Sequence, residues 1–244
     1  MFNLKDKSVI LFQGDGITDG GRVRGNDPNH IMGHGYAYNV ASYLGYTYAE
    51  KQYEIYNRGI AYDGVMQMAD RWEKDTLEFK PDVLSVMIGL NDVPTELEEG
   101  DGKAIEAANE YGKKLGDLVD ITLSKLPECK IVLLEPVALP LQRIWQYKPL
   151  EGEENGFKPH YSINPLACYT SVAVANNMKY FRQQVKRIAE EKNLIFVPLQ
   201  EDFEKATERV DGCYWLWDGS HPTYSGHDII SEKWLKTVQE KIKF

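Results

Sequence analysis

Short apolar runs alternate along this chain with stretches whose apolar residues recur every three or four positions, and that alternation constrains the fold more than any other feature. "SVILFQ" (8–13), "YEIYNRG" (53–59), "DVLSVMIG" (82–89), "KIVLLEPV" (130–137) and "LIFVPL" (194–199) have the length and the branched or aromatic content of buried strands. Between them, Val65, Met68, Ala69, Trp72 and Thr76 have helical spacing. So do Ile105, Ala108, Leu115, Leu118, Val119 and Thr122, and later Val174, Met178, Phe181, Val185 and Ile188. Strands that alternate with helices connect by right-handed crossovers, which predicts an α/β protein with a five-stranded parallel sheet covered on both faces. At 244 residues, 43% of them hydrophobic, the chain can bury one substantial core, so a single domain over 1–244 is expected.

In such sheets ligands sit beyond the carboxyl ends of the strands, which directs attention to "GDGITDGG", "NRGIAYDG" and "IGLNDV". The segment 138–165 is too long for an ordinary connection. It carries Trp145, Tyr147, Phe157, His160 and Tyr161, which suits either a substrate-binding lid or a surface excursion with its aromatics packed on the body. Near the C-terminus stands "WLWDGSHPTYSGH", where Asp218 precedes His221 by three residues, just ahead of a helix expected to start near Thr223. A tight loop of this kind can set a carboxylate on imidazole Nδ1, fix the tautomer and leave Nε2 as a general base. Asn91 follows a strand directly, where its amide can donate to a developing oxyanion; closing the turn is the commoner task of such an Asn.

A formal net charge of -9 with no Lys/Arg cluster argues against a nucleic-acid partner. No apolar run approaches the roughly 20 residues of a membrane span, and "MFNLKDKSVI" has no signal-peptide apolar region, so a cytoplasmic chain with no membrane partner is expected as given. Cys129, Cys168 and Cys213 stand far apart, as suits three reduced thiols. His30 and His34 have helical spacing for two metal ligands, but Pro28 and Gly33 argue for a loop and no third ligand is near, so no metal site is expected. Gly14 and Gly16 echo a dinucleotide-binding turn. The third glycine is replaced by Asp19, which repels a pyrophosphate, and the second strand ends in Arg58 rather than an acid.

Four segments together resemble the SGNH (GDSL) hydrolases over nearly the whole chain. "GDGITDGGR" is similar to that family's first block, "NRGIAYDGV" to its second, "IGLNDV" to its third and "WDGSHPTYSGH" to its last, in the right order and each after the right strand. The resemblance implies a three-layer α/β/α, flavodoxin-like fold and an ester hydrolase without cofactor, closest in pattern to small-ester and carbohydrate acetyl esterases. It implies a catalytic Asp218 and His221, with Asn91 and the backbone amides at Gly16 and Tyr62 as oxyanion donors. Asp15, Trp215 and Trp217 are candidate substrate contacts, the two tryptophans as a wall for a sugar.

Two positions depart from the pattern. Gly16 stands where the family has its nucleophilic serine, and Tyr62, preceded by Ala61, stands where it has a glycine. Glycine can offer an N–H to an oxyanion but cannot attack a carbonyl. Thr18 and Ser220 are badly placed to substitute, and the Tyr62 ring is expected to fill part of the acyl pocket. Three accounts stand open: a deliberately inactivated esterase, a non-catalytic relative that binds an acylated sugar, and a weak hydrolase that uses water. Retention of Asn91, Asp218 and His221 favours the first. The sequence leaves the oligomeric state and the particular ester open.

Overall fold

The structure, a computed structural model, describes residues 2–25, 27–95, 100–152 and 157–244. Strand β1 (Phe2–Asn3) pairs in parallel with β9 (Ile242–Lys243), tying the two ends of the chain together. The central sheet contains β2 (Val9–Gly14), β3 (Glu54–Asn57), β4 (Val83–Met87), β5 (Lys130–Leu134) and β8 (Ile195–Val197), all parallel, in the spatial order β3-β2-β4-β5-β8. Renumbered along the sheet this is 2-1-3-4-5, the flavodoxin-like order, whose switch point lies between β2 and β4. All five expected strands are present.

Alternation along the strands feeds two separate cores. Ile10, Phe12, Val83 and Met87 face one side, where α2 (Tyr36–Thr47) and α8 (Tyr224–Gln239) pack; Leu11, Leu84 and Val86 face the other, against α3 (Val65–Asp70), α5 (Gly100–Lys125) and α6 (Pro165–Glu191). Each layer is keyed to the sheet or to its neighbour by a buried polar contact. Trp234 Nε1 donates to Ser85 Oγ at 2.9 Å, and Trp72 Nε1 donates to Thr122 Oγ1 at 3.0 Å. At the α2–α8 contact, the Tyr36 N–H donates to His227 Nδ1 at 3.1 Å, and burial pushes that imidazole down to about 4, which keeps it neutral.

The first helical pattern does not run unbroken. It ends at Asp70 and resumes as α4 (Trp72–Asp75), with Arg71 between the two outside helical geometry. Arg71 reaches beneath the turn after β2, donating to Asp63, Gln13 Oε1 and the Arg58 and Gly14 carbonyls. The short helices α1 (Gly16–Asp19) and α7 (Gln200–Thr207) complete the set.

Within the long segment 138–165, β6 (Ile144–Pro149) pairs antiparallel with β7 (Phe157–Ser162), so the described part is a two-stranded ribbon rather than a free loop. Trp145 is buried at its base, stacked on Tyr214 and Tyr161. The hairpin is fixed to the C-terminal loop, since the Trp145 N–H donates to the Trp217 carbonyl at 3.0 Å. Tyr147 and Tyr161 keep an exposed face, and the Phe157 side chain lies outside the described residues.

Candidate active site

Three loops at the carboxyl ends of β2, β3 and β4 dock on one another, and a fourth precedes α8. The turn after β2 needs its first glycine: a Cβ on Gly14 (φ +154°) would stand 2.0 Å from the Met87 carbonyl oxygen. Asp15 caps α1 by accepting from the Ile17 N–H at 2.9 Å, and Gly16 opens the helix, where an N–H has no partner within the helix. Gly16 itself needs no glycine. Its φ is not in the left-handed region, and an added Cβ would meet only Ala61 Cα at 3.6 Å and Ala61 Cβ at 3.8 Å, ordinary contact distances. A Cβ therefore fits at residue 16 without moving the backbone.

The β3 loop docks on this turn through the Ile60 N–H, which donates to the Gly14 carbonyl at 3.0 Å, and through the Ala61 N–H, which donates to Asp19 Oδ2 at 3.0 Å. Asn91, one residue past Leu90, donates through Nδ2 to the Asp63 carbonyl at 2.9 Å, and Asp92 accepts from the Val65 N–H at 2.9 and 3.1 Å. Among the described residues neither the Gly16 nor the Tyr62 N–H has an acceptor.

In the C-terminal loop, Asp218 Oδ2 lies 2.7 Å from His221 Nδ1, while Oδ1 accepts from the His221 and Ser220 N–H groups at 2.9 and 3.0 Å. The carboxylate is thus fixed by the loop that it organises. Burial works to raise Asp218, but the imidazole and the two N–H groups outweigh it and hold the carboxyl below its usual range. The hydrogen bond and charge of Asp218 in turn push His221 above 6.5, against the opposing effect of burial. With Nδ1 occupied, Nε2 of His221 is left as the base.

Burial pushes Asp15 up to about 7 and Asp92 up to about 6. The substitute nucleophiles are out of place. The Thr18 hydroxyl is buried against Tyr36 Oη at 2.9 Å, and Ser220 Oγ lies on the Nδ1 side of His221, at 3.2 Å.

Three expectations need correction. The Tyr62 ring does not fill the acyl pocket: it is 89% exposed, because the backbone at Tyr62 adopts φ +69° and turns the side chain to solvent. Asp15 is buried beneath the turn as a helix cap and is no substrate contact. Trp215 is also buried, with Nε1 donating to the Ala206 carbonyl at 3.0 Å and its ring edge-on to Tyr214, so it packs the body of the protein. Trp217 alone of the pair faces outward, its ring centre 6.2 Å from that of His221. The sequence reading missed Asp92, Asp63 and Arg71. Asp92 was visible as the acid directly after Asn91, while Arg71 lies far along the chain from the turn that it supports.

The left-handed conformation of Tyr62 costs a non-glycine residue about 1–2 kcal/mol, whereas a glycine there adds about 0.5–1 kcal/mol of unfolded-state entropy. With so exposed a ring, little packing is lost. Tyr62→Gly is therefore expected to raise stability by about 0.5–1 kcal/mol in urea unfolding.

Among the described residues no three potential metal ligands converge, and His30 bonds Asp27 at 2.7 Å instead. No helix of these residues is long and apolar enough to cross a membrane.

A turn, an Asn loop and a hydrogen-bonded Asp–His pair thus stand in loops attached to a flavodoxin-like sheet. Residues 12–229 match the GDSL-like Lipase/Acylhydrolase family, and the chain belongs to it. It is 31% identical over 233 residues to the acetylxylan esterase of Geobacillus stearothermophilus, covering 94% of this chain and 93% of that one. A crystal structure of a catalytic mutant of that esterase, with its serine replaced by alanine, superposes with a TM-score of 0.73 at 30% identity, covering 96% of this chain and 95% of the other. Further catalytic mutants of the esterase alter an aspartate and a histidine three residues beyond it. A GDSL-like lipase structure from Parabacteroides merdae is similar as well, with 35% identity, a TM-score of 0.77 and 98% and 99% coverage.

Proposed function

We propose that residues 1–244 form one domain whose site is built for hydrolysis of small acyl esters, with acetyl on a carbohydrate hydroxyl as the substrate class. The observation that carries this reading is the His221–Asp218 pair, held at 2.7 Å, in a chain whose Asn91 loop and two acceptor-free N–H groups follow the neighbouring strands. In this reading Asn91 Nδ2 and the N–H groups of Gly16 and Tyr62 receive the oxyanion, where each donor contributes about 2.7–4 kcal/mol to the transition state. The exposed face of Trp217, with Tyr147 and Tyr161 of the hairpin beyond it, provides the aromatic surface on which a sugar ring packs.

Gly16 takes the nucleophile's position, so no acyl-enzyme forms there. The protein as it stands binds its ester and hydrolyses it at most by direct attack of a water whose proton passes to His221. That leaves acetate and the free alcohol, at about 10³–10⁴-fold over the uncatalysed rate.

The test combines binding and turnover of acetylated xylo-oligosaccharides by the unaltered protein. Saturable binding is expected, with slow deacetylation that rises with pH as His221 loses its proton, the midpoint lying above 6.5 because Asp218 stabilises the imidazolium. A protein that binds neither these sugars nor simple acetyl esters contradicts the reading.

A further inference from the structure

Arg22, Arg24 and Arg58 line a cavity of about 480 Å³ beside β3 that includes none of Gly16, Tyr62, Asn91, Asp218 or His221. Among the described residues none of its lining side chains is a carboxylate, in a chain whose net charge is -9. The Arg22 side chain is only 5% exposed: Nε donates to the Gly59 carbonyl at 3.1 Å, and its ion pair with Asp19 is long, at 4.0 Å, because Arg24 holds that carboxylate more closely. Burial, and then the charges of Arg24 and Arg58, push this guanidinium down to about 10. Arg24 clamps Asp19 with two hydrogen bonds of 3.1 and 2.6 Å, and Arg58 bonds Asp75 while its Nε has no acceptor. With Arg71 included, four guanidinium groups meet three carboxylates, those of Asp19, Asp63 and Asp75, which leaves one positive charge in excess.

A buried guanidinium that faces two others is unfavourable unless an anion joins them. Guanidinium groups converging from separate segments match the several oxygens of a phosphate better than the two of a carboxylate. The cavity is also larger than a bare anion fills, within the range of about 300–1,000 Å³ typical of small-molecule sites, and Met32 and Phe79 give it an apolar wall. We propose that this cavity binds a phosphate group, free or carried on a small metabolite, between Arg22, Arg24 and Arg58. The ligand would share Arg24 with Asp19, the same carboxylate that holds the Ala61 N–H beside Tyr62.

Calorimetric titration at low ionic strength with inorganic phosphate, glucose 6-phosphate and glucose tests the assignment, on the unaltered protein and on Val23→Glu and Arg24→Met. Val23 lines the cavity and is 39% exposed, so a carboxylate there repels the ligand without breaking the arginine network. Phosphate and glucose 6-phosphate are expected to bind saturably, glucose not at all, and each variant to weaken both ligands at least about tenfold, Val23→Glu with an unchanged unfolding temperature and Arg24→Met with a lowered one, since it strands the buried Asp19 carboxylate. Tighter binding of the sugar phosphate assigns the site to a phosphorylated metabolite; equal binding assigns it to free phosphate. The proposal is overturned if neither phosphate compound binds, if glucose binds as well as its phosphate, or if both variants bind like the unaltered protein.

Discussion

Gly16→Ser raises kcat/KM for p-nitrophenyl acetate by at least about 10³-fold over the unaltered protein, the scale set by removal of a serine nucleophile from intact hydrolases. The structure supplies room for the side chain and an oriented imidazole. A Cβ at residue 16 meets nothing nearer than 3.6 Å, and the backbone there already has a conformation open to any residue. The base is oriented, because the Asp218 carboxylate occupies His221 Nδ1 at 2.7 Å. The gain should appear in kcat rather than in KM, since the missing group contributes to the transition state and not to ground-state binding. A rate that stays at background, measured with the fold verified by circular dichroism, places the defect in the pocket rather than in the nucleophile.

Asp218→Asn introduced into the Gly16→Ser protein lowers kcat by about 10⁴-fold, as loss of the orienting carboxylate does in serine hydrolases. The asparagine carbonyl can still accept from the His221 and Ser220 N–H groups, which keeps the loop in place. Its amide presents a donor where Nδ1–H needs an acceptor, so the imidazole turns to the tautomer that cannot take a proton at Nε2. The imidazolium also loses the charge that raises it above 6.5, and the pH profile of the remaining activity should shift to lower pH. A loss of only a few-fold, with the profile unmoved, means that Asp218 shapes the loop and leaves the chemistry to other groups.

The sheet was legible because apolar strands fully buried on both faces leave continuous runs such as "VILFQ" and "VLSVM", and because helices must fill the gaps between them, while its flavodoxin-like order followed only from the resemblance to the SGNH hydrolases. The start of α8 was legible from Thr223, whose hydroxyl accepts from the Gly226 N–H at 3.2 Å, and the Asp218–His221 contact from a three-residue spacing that fits a tight loop. Other features depend on partners distant in sequence. Trp215 and Trp217 look alike in "WLWDG", and only the packing of Trp215 against Tyr214 and the Ala206 carbonyl decides which is buried. The break at Arg71 is hidden by an intact apolar pattern, since its cause is a guanidinium drawn toward Gly14 and Asp63. The conformation of Tyr62 was foreseeable only as a cost, because a backbone turn rather than the residue itself sets φ. Likewise Arg22, Arg24 and Arg58 read as scattered charges until the β3 edge brings them to one cavity.

The central claim, that residue 16 faces an intact base and oxyanion site, is tested most directly by covalent labelling. Gly16→Ser and the unaltered protein are each treated with a fluorophosphonate at neutral pH, and intact mass and peptide mapping locate any adduct. One adduct per chain on residue 16 of the variant, lost when His221→Ala is added, with none on the unaltered protein, is the predicted result. No adduct on the folded variant, or an adduct on Thr18, Ser220 or another hydroxyl, contradicts the account.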